Sequence, residues 1–378
     1  MTTSNRSVGM LPYRLSRRSF LVGSAAAASA SMMLSLSAQR VFGADVAKEL
    51  RWYTWGTYYK PEYFEGFTEK SGVKLSVGSI SSNDQQYAML KAGGTRDWDV
   101  FDTENASTPL YIKDGLVKPL DYSRIPNASM LFPNLKKPEW CVGPDGQTYF
   151  IVHIFGIDTI AYRSDLVEPP TSWAALFDEK YKGKITFQDY ALDAINMAGL
   201  VLYGRTPSEG GYSAWTDAQL EEIKKKLIDQ KKLVRTYWAT EADARNLFVN
   251  GEVVIGETWV PTAYALRAEG LKVELALPKE GPWGWSDNLG ISKDADEAAT
   301  NAAYEMINFA LGPDYGLKIN RDAPYTTSTT NGWLDKLSDA EKKVLFLDQV
   351  QIFDTFNYRK LPPNYDKWTQ LWEEVKIS

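Results

Sequence analysis

The sequence predicts an α/β protein of two lobes, and two observations support this class. Runs of β-prone residues alternate with helix-forming segments in two separate blocks, which is typical of βαβ units around a parallel sheet. Two longer β-prone stretches, 150–162 and 273–289, follow these blocks and are long enough to cross between them. The predicted order is therefore lobe, crossing, second lobe, crossing and first lobe again. Two such lobes can close over a ligand by a hinge motion.

Residues 1–44 have the composition of an export signal. They contain five arginines and no acidic residue, with the pair Arg17-Arg18 ahead of a mildly apolar run and small residues at Gly43 and Ala44. A basic start, an apolar middle and a small-residue cleavage site define such signals, and paired arginines mark the twin-arginine route. The run is rich in Ser, Ala and Gly, whereas a membrane span needs ~20 predominantly apolar residues. We therefore expect a twin-arginine signal peptide rather than an anchor.

The first block predicts three strands with helices between them. Strands are expected at 49–53, 73–77 and 98–101, and helices are expected from Pro61 to Ser71, after a cap at Asn83, and near 109–113. Ligands bind beyond the carboxyl ends of parallel strands. This rule places Trp55, Ser82 and Glu104 beside a binding site.

The second block repeats the alternation. It predicts a helix capped by Thr171 or Ser172, strands at 184–187, 253–259 and 273–277, and helices from Ala191, from a capping box at Thr216–Gln219, at 241–250 and at 261–269. After the return crossing, a helix at 296–311 ends at Gly312-Pro313, and a second capping box begins at Ser338. The predicted domains are the signal at 1–44, a discontinuous lobe 1 at 45–155 and 280–378, and lobe 2 at 156–279. The placement of 330–378 is left open between the lobes.

Composition and charge exclude several classes of partner. The chain has 42 basic and 48 acidic residues, and without the five signal arginines 37 basic residues remain, so the formal charge becomes -11. This balance disfavours nucleic acid and anionic membrane surfaces. The single Cys141 cannot form an internal disulfide, so a packed core must hold the fold.

The stretch Trp283–Leu289, with Trp259 ahead of it, combines indole rings and a carboxylate. Rings attract an organic cation by about 0.5 to 2 kcal/mol each, and Asp287 can add a charge-assisted hydrogen bond. On these residues alone, core tryptophans and a turn at Asp287-Asn288 are the favoured explanation.

Catalytic motifs are absent from the sequence. One histidine excludes a multi-histidine metal site, and no nucleophile elbow, phosphate-binding P-loop or dinucleotide-binding glycine motif occurs. His153 is expected to be a hydrogen-bonded interior residue. We therefore predict a non-enzymatic protein without metal or cofactor, although a hydrolase using paired carboxylates stays open as an alternative.

Short motifs occur in a fixed order along the mature chain: Tyr53–Tyr58, Thr171–Leu176 with Tyr181–Gly183, Asn250–Val253, Leu277–Gly281, Trp285–Asp287, and Ile307–Phe309 with Pro313-Asp314. In these motifs the chain resembles the periplasmic solute-binding proteins of ABC importers, and within them the spermidine/putrescine-binding group. This resemblance implies a type II two-lobed fold with the ligand in the cleft, location in the periplasm, and a monomer that delivers a small solute to a membrane permease.

The resemblance also implies the residues of the cleft. Trp55, Tyr58 and Tyr325 match lining positions, Trp259 and Trp285 match two indoles that sandwich a polyamine, Asp287 matches an amine-binding carboxylate, and Asp193 replaces a glutamate. Three positions depart from the family pattern: Tyr190 stands where an acid is usual, Glu104 where a small hydroxyl residue is usual, and Ala106 where an aromatic residue is usual.

These departures leave the ligand open between related classes. A diamine needs an anionic partner at each end, because a buried unpaired ammonium group costs several kcal/mol. One end (Trp259, Trp285 and Asp287) keeps the family pattern, and the other has exchanged its acids. We expect an amine-bearing solute, with a polyamine as the leading class. An ω-amino acid or an opine-like sugar-amino conjugate is the alternative, with Ser82 or Arg245 as partner of its far group. A further alternative ligand is ferric iron, bound by Tyr58 and Tyr59.

Overall fold

A mixed β-sheet of 11 strands forms the frame of the molecule. The computed structural model describes residues 45–204, 215–323, 325–348 and 356–378, and residues 46–378 form one unit. The predicted signal peptide at 1–44 lies outside the described residues. Within those residues, no helix combines the length and the apolar character needed to cross a membrane.

The strands follow the predicted order with small shifts at their ends. They are β1 Glu49–Thr54, β2 Lys74–Ser79, β3 Val100–Glu104, β4 Ile151–Arg163, β5 Ile185–Gln188, β6 Val234–Trp238, β7 Ile255–Trp259, β8 Val273–Ala276, β9 Trp283–Ile291, β10 Thr326–Thr327 and β11 Asn357–Tyr358.

The α-helices lie between these strands and after them. They are α1 Glu65–Ser71, α2 Asn83–Lys91, α3 Thr108–Lys113, α4 Ala191–Tyr203, α5 Asp217–Lys231, α6 Glu241–Val249, α7 Val260–Ala268, α8 Glu297–Ala310, α9 Pro313–Asp322, α10 Asp339–Val344 and α11 Tyr365–Ile377. Short 3-10 turns fill several connections, among them Gly56–Tyr58 directly after β1.

The sheet has parallel strands at both ends and antiparallel strands in its middle. Its order is β2-β1-β3-β9-β4-β7-β5-β6. Strand β1 pairs in parallel with β2 and β3, and β5 pairs in parallel with β6 and β7. The crossing strands β4 and β9 are antiparallel to each other, and they join the β3 side to the β7 side.

The two crossing strands are almost completely enclosed. Strand β9 is buried over its whole length, and β4 over most of it. Their apolar side chains belong to several clusters, one around β1 and the helix α8 and others that contain Phe155 of β4 or Trp283 of β9. Because both crossing strands are buried, their pairing determines which of their side chains face the region between the two parallel ends of the sheet.

The last helix packs on the second block of the chain. Trp368, Leu371, Trp372 and Val375 of α11 lie in one apolar cluster with residues of α4 and α5. Those two helices belong to the segment 156–279, which the sequence predicts as lobe 2. The packing supports assigning α11 to lobe 2, whereas the prediction grouped 280–378 with lobe 1. The domain boundaries themselves stay a prediction.

Three local predictions differ from the structure. Ser82, not Asn83, caps helix α2, and its Oγ accepts a hydrogen bond from the Gln85 N–H at 3.2 Å. Gly312-Pro313 ends α8 as expected, but Pro313 also begins α9, because proline is well tolerated in the first turn of a helix. The alternative of a turn at Asp287-Asn288 is wrong, since both residues lie inside β9.

Candidate ligand-binding site

Two acidic side chains meet where the crossing strand β9 pairs with β3. Glu104 at the end of β3 is the direct partner of Asp287 in β9, and the two strands are antiparallel. Directly opposed residues project to the same face of a sheet with their Cβ atoms about 5 Å apart. Both side chains are buried, with 4% exposure each. Adjacent buried carboxylates repel each other when ionised, so a positively charged group bound beside them is stabilising.

Asp287 is held by a phenol from the first block. The Tyr58 hydroxyl donates a hydrogen bond of 2.5 Å to Asp287 Oδ2. Burial and the nearby charge of Asp102 raise the pKa of Asp287 to about 7, against the lowering effect of this hydrogen bond. The Trp55 indole approaches the same carboxylate and also lowers its pKa, although its N–H makes no hydrogen bond of good geometry. Oδ1 of Asp287 likewise accepts no such bond within the described residues.

Aromatic rings line this acidic position. The ring of Tyr325 meets Tyr58 edge-on at 5.2 Å and Trp285 at 6.0 Å. Trp285 can lie flat against β4 because residue 156 is glycine: a Cβ atom there would come within 2.6 Å of the indole. The side chains of Trp55, Tyr58, Trp285 and Tyr325 belong to one apolar cluster. Rings that face a carboxylate favour an organic cation over an inorganic one.

A second acidic group lies further along the crossing strands. Asp158 in β4, Asp193 in the first turn of α4 and Glu257 in β7 bring one carboxylate oxygen each to within 4.8 Å of the others. The backbone N–H of Gln188 donates to Glu257 Oε2 at 2.8 Å, but Glu257 Oε1 has no hydrogen-bond partner within the described residues. All three side chains are buried.

Arg359 supplies the positive charge of this second group. Its Nε donates to Asp193 Oδ1 at 2.9 Å, and its Nη2 contacts both Asp193 and Asp158. Its Nη1 lies 3.5 Å from Glu104 Oε1, so the guanidinium also reaches the first acidic pair. The ring of Tyr190 lies 5.3 Å from the guanidinium carbon, at cation–π distance.

The carboxylates of the site resist ionisation. Burial raises the pKa of Glu104 to about 7 and that of Asp158 to about 8, in each case against the lowering effect of Arg359. Burial and the neighbouring Asp158 raise the pKa of Glu257 well above its usual value. Burial acts to lower the pKa of Arg359, but Asp158, Asp193 and Glu104 outweigh it and raise that pKa. The guanidinium is therefore always charged, whereas the acids respond to pH and to added cations.

The structure brings together most of the residues that the sequence singles out. Trp55, Tyr58, Trp285, Asp287 and Tyr325 form the first group, and Glu104 links it to Asp193 and Tyr190 in the second. Ser82 uses its hydroxyl to cap α2, where it accepts from Gln85. The Trp259 ring packs edge-on against Trp238 at 5.2 Å, while its backbone pairs with Asp158. The ligand contacts of these ten residues stay a prediction.

Three residues of the site were missed by the sequence analysis, namely Asp158, Glu257 and Arg359. Asn83, which the strand-end rule places beside the site together with Ser82, donates its side-chain amide to Glu104 at 3.3 Å. Two of the missed residues carried a readable signal, since Asp158 and Glu257 interrupt apolar β-prone runs where buried charge is rare. Arg359 belongs to no sequence pattern that would mark it as a residue of the site. The buried cation that contacts the carboxylates is Arg359, whereas Arg245, considered above as a partner for the far group of an ω-amino acid, forms an ion pair with Glu269 at 3.0 Å.

His153 behaves as predicted. It is fully buried, and its Nδ1 lies 3.0 Å from Asp102 Oδ1. The ring also lies against Tyr58 and Tyr315. His153 therefore packs against Tyr58 of the site through its ring, and its Nδ1 is paired with Asp102.

Comparison with known proteins identifies the family. A model for bacterial extracellular solute-binding proteins matches residues 62–343. The spermidine/putrescine-binding periplasmic protein of Escherichia coli strain K12 is 31% identical over 304 residues, which cover 79% of this chain and 82% of that protein. The putrescine/agmatine-binding protein of Pseudomonas aeruginosa is 22% identical, over 86% of this chain and 91% of its own.

A solved structure shows the same fold. The spermidine/putrescine ABC transporter substrate-binding protein from Streptococcus pneumoniae superposes with a TM-score of 0.74 at 24% identity, covering 88% of this chain and 99% of that one. This similarity confirms the predicted two-lobed type II fold of periplasmic binding proteins. The chain belongs to the bacterial extracellular solute-binding protein family, and it is a substrate-binding receptor.

Proposed function

We propose that this receptor captures an amine-bearing solute, with a polyamine of the putrescine or spermidine kind as the leading class, and delivers it to the permease of an ABC importer. The observation that carries this proposal is the charge balance of the site. The site holds five buried carboxylates (Glu104, Asp158, Asp193, Glu257 and Asp287), and the one buried guanidinium, that of Arg359, contacts three of them, Glu104, Asp158 and Asp193. The excess of acid favours a ligand that brings positive charge.

The ring contacts favour an organic cation as the source of that charge. Trp285, Tyr58 and Tyr325 surround Asp287, so methylene groups of an aliphatic amine would contact ring faces while its ammonium group pairs with the carboxylate. The Escherichia coli relative, named for spermidine and putrescine, supports the same class.

The setting of the protein is part of the proposal. We infer a monomer that is exported to the periplasm by the twin-arginine route, with residues 1–44 as the cleaved signal. Lobe 1 (45–155 and 280–378, apart from α11) and lobe 2 (156–279) would close on the ligand by bending β4 and β9, with α11 moving with the second lobe. The closed form is then the one offered to the permease.

The physical chemistry of the site weighs against ferric iron. Tyrosine binds ferric iron as a phenolate, but burial and the charge of Asp287 raise the pKa of Tyr58 well above its usual value. Burial also raises the pKa of Tyr59, whose ring packs on Trp52 and Phe64. Both shifts disfavour the anionic form that iron requires.

The ω-amino acid alternative needs a cation that is free to meet the ligand carboxylate. Arg359 is the one lysine or arginine that is buried within the described residues, and its nitrogens already face Asp193, Asp158 and Glu104. The geometry therefore favours the polyamine class over this alternative.

Calorimetric titration of the purified mature protein tests the proposal. Putrescine, spermidine and γ-aminobutyrate are titrated into the wild type, Asp287→Asn and Trp285→Ala. We expect heat from at least one amine with the wild type, and weaker binding with each variant at unchanged circular dichroism. A folded wild type that gives no heat with any amine refutes the proposal. Turnover of a glycoside or ester that Asp287→Asn abolishes would support the hydrolase alternative instead.

A further inference from the structure

The segment that carries Arg359 is tied into the crossing strand, although it lies near the C-terminal end of the chain. Strand β11 pairs in parallel with β9, through Asn357 to Trp283 and Tyr358 to Gly284. The Arg359 N–H donates to the Gly284 carbonyl at 3.0 Å, and the Asn105 side chain donates to the Arg359 carbonyl at 2.6 Å. The Asn357 amide is bonded to the carbonyls of Glu280 and Gly281. The backbone of residue 359 is thus fixed from both sides.

We propose that Arg359 is a built-in cation that takes the place of one ammonium group of the ligand, and that it restricts the receptor to short amines with at most two ammonium groups. This inference rests on the proposed function and names the substrate class more narrowly. It assigns to Arg359 the role of a specificity-determining residue.

The guanidinium is saturated by protein carboxylates. Its Nε and Nη2 form a two-point contact with Asp193, Nη2 also contacts Asp158, and Nη1 is directed to Glu104. The forked geometry suits arginine, because its donors lie in one plane and its charge is permanent. Arg359 is 8% exposed, so a ligand does not meet it as a free surface charge. Asp158 and Asp193 are thereby withdrawn from ligand binding.

Two carboxylates at one end of the site keep oxygens for the ligand. Within the described residues, Asp287 Oδ1 accepts no hydrogen bond, and Glu104 Oε1 has only its 3.5 Å ion pair with Arg359. Asp158 Oδ1 and Glu257 Oε1 also lack hydrogen-bond partners there, but burial raises the pKa of Asp158 to about 8 and that of Glu257 well above its usual value, which disfavours their ionised forms.

Asp287 and Glu104 are direct partners across β3 and β9. Two neighbouring carboxylates match one or two ammonium groups. A longer triamine would carry its third ammonium toward Asp158 and Asp193, where it meets the like charge of the guanidinium.

The selectivity arises from repulsion as well as attraction. A receptor discriminates between two ligands by the difference of their binding free energies, and an unmatched like charge is an effective way to reject the longer one. Replacing Arg359 by glutamine keeps a hydrogen-bonding side chain and removes the charge, so it returns Asp158 and Asp193 to the ligand. The expected consequence is a shift in preference from the diamine to the triamine.

The experiment compares Kd values for putrescine and spermidine by calorimetry on the full mature chain. We expect the wild type to bind putrescine at least about tenfold more tightly than spermidine, and Arg359→Gln to shift that ratio by about tenfold or more toward spermidine. Arg359→Lys keeps the charge and should keep the wild-type preference. Lys360→Gln is the matched control: Lys360 is exposed and, in the part of the chain that the structure describes, pairs with the exposed Glu139 at 3.2 Å, so the ratio should not change.

Two results would overturn the inference while leaving the proposed function intact. One is a wild type that binds spermidine as tightly as putrescine or more tightly. The other is a folded Arg359→Gln variant whose ratio equals that of the wild type. If Arg359→Gln does not fold, the ratio of Kd values in the wild type and in Arg359→Lys tests the inference instead. Arg359→Lys keeps the positive charge, so a loss of the preference for putrescine in that variant counts against a charge effect. A wild type that binds no amine refutes the proposed function itself.

Discussion

The substitution Asp287→Asn removes the charge of the carboxylate around which the first group of the site is built. The change is nearly isosteric, and the amide oxygen can still accept the hydrogen bond that Tyr58 donates to Asp287 at 2.5 Å. The side chain is 4% exposed, so an ammonium group bound there is desolvated and depends on the charge it meets. The variant therefore isolates the electrostatic contribution of one side chain.

The expected loss of affinity follows from breaking one partner of a buried charge pair. Such a truncation costs about 2 to 4 kcal/mol, or roughly 30- to 700-fold in Kd. The stability of the ligand-free protein should not fall. Asp287 lies among Asp102 and Glu104, whose charges raise its pKa, so the neutral amide relieves a repulsion between buried acids. We expect an unchanged or slightly higher Tm without ligand.

Calorimetry gives the Kd, and thermal unfolding with and without amine gives the stability. Asp335→Asn serves as control, because Asp335 is exposed and is not one of the residues of the site. A folded Asp287→Asn variant that binds the amine within twofold of the wild type contradicts the reasoning. So does an Asp335→Asn variant that loses affinity to the same extent.

Three further predictions follow from the geometry. The pKa values of Asp287 and Glu104 are both raised to about 7, so amine binding should strengthen from pH 6 to 8 and should release protons. Calorimetric titrations in buffers of different ionisation enthalpy detect this proton release. A Kd that does not depend on pH contradicts the prediction. The same carboxylates bind protons more tightly in the folded protein than in the unfolded chain. Their protonation therefore adds stability that is complete below their unfolded pKa and is lost as the pH rises through about 7. The Tm of the ligand-free protein should fall over that pH range, and it should fall less in Asp287→Asn. Gly156→Ala should move Trp285, since the new methyl would lie 2.6 Å from the indole, and weaken binding by about tenfold with about 1 to 3 kcal/mol lost stability; unchanged Trp fluorescence and Kd would contradict it.

The sequence was sufficient for the fold because local signals agreed along the chain. The capping boxes at Thr216 and Ser338 both form, and strands and helices follow in the predicted order. The capping residue of α2 was misjudged by one position, since Ser82 and Asn83 are both good caps and only the backbone geometry separates them. Helix α9 was missed because Gly312-Pro313 reads as a stop, although proline is also a start signal.

The site was only half accessible from sequence. Motifs drew attention to Trp285 and Asp287, and a single buried strand carries both. Arg359 was invisible, since it depends on the pairing of a two-residue strand, β11, with a strand more than seventy residues earlier. Contacts of that kind leave no periodic trace in the sequence. Asp158 and Glu257 could have been found by asking why an acid interrupts an apolar run.

The pairing of the two crossing strands has a consequence for how the protein opens. Residues 151–158 of β4 are hydrogen-bonded to 283–289 of β9, so the connections form one two-stranded ribbon and neither can flex alone. The register of this ribbon slips between Val152 and Ile154, at the position of His153. An irregular step twists more easily than an unbroken ladder. We therefore expect that opening of the lobes would twist β4 and β9 together, most easily beside His153, whose imidazole lies 3.0 Å from Asp102.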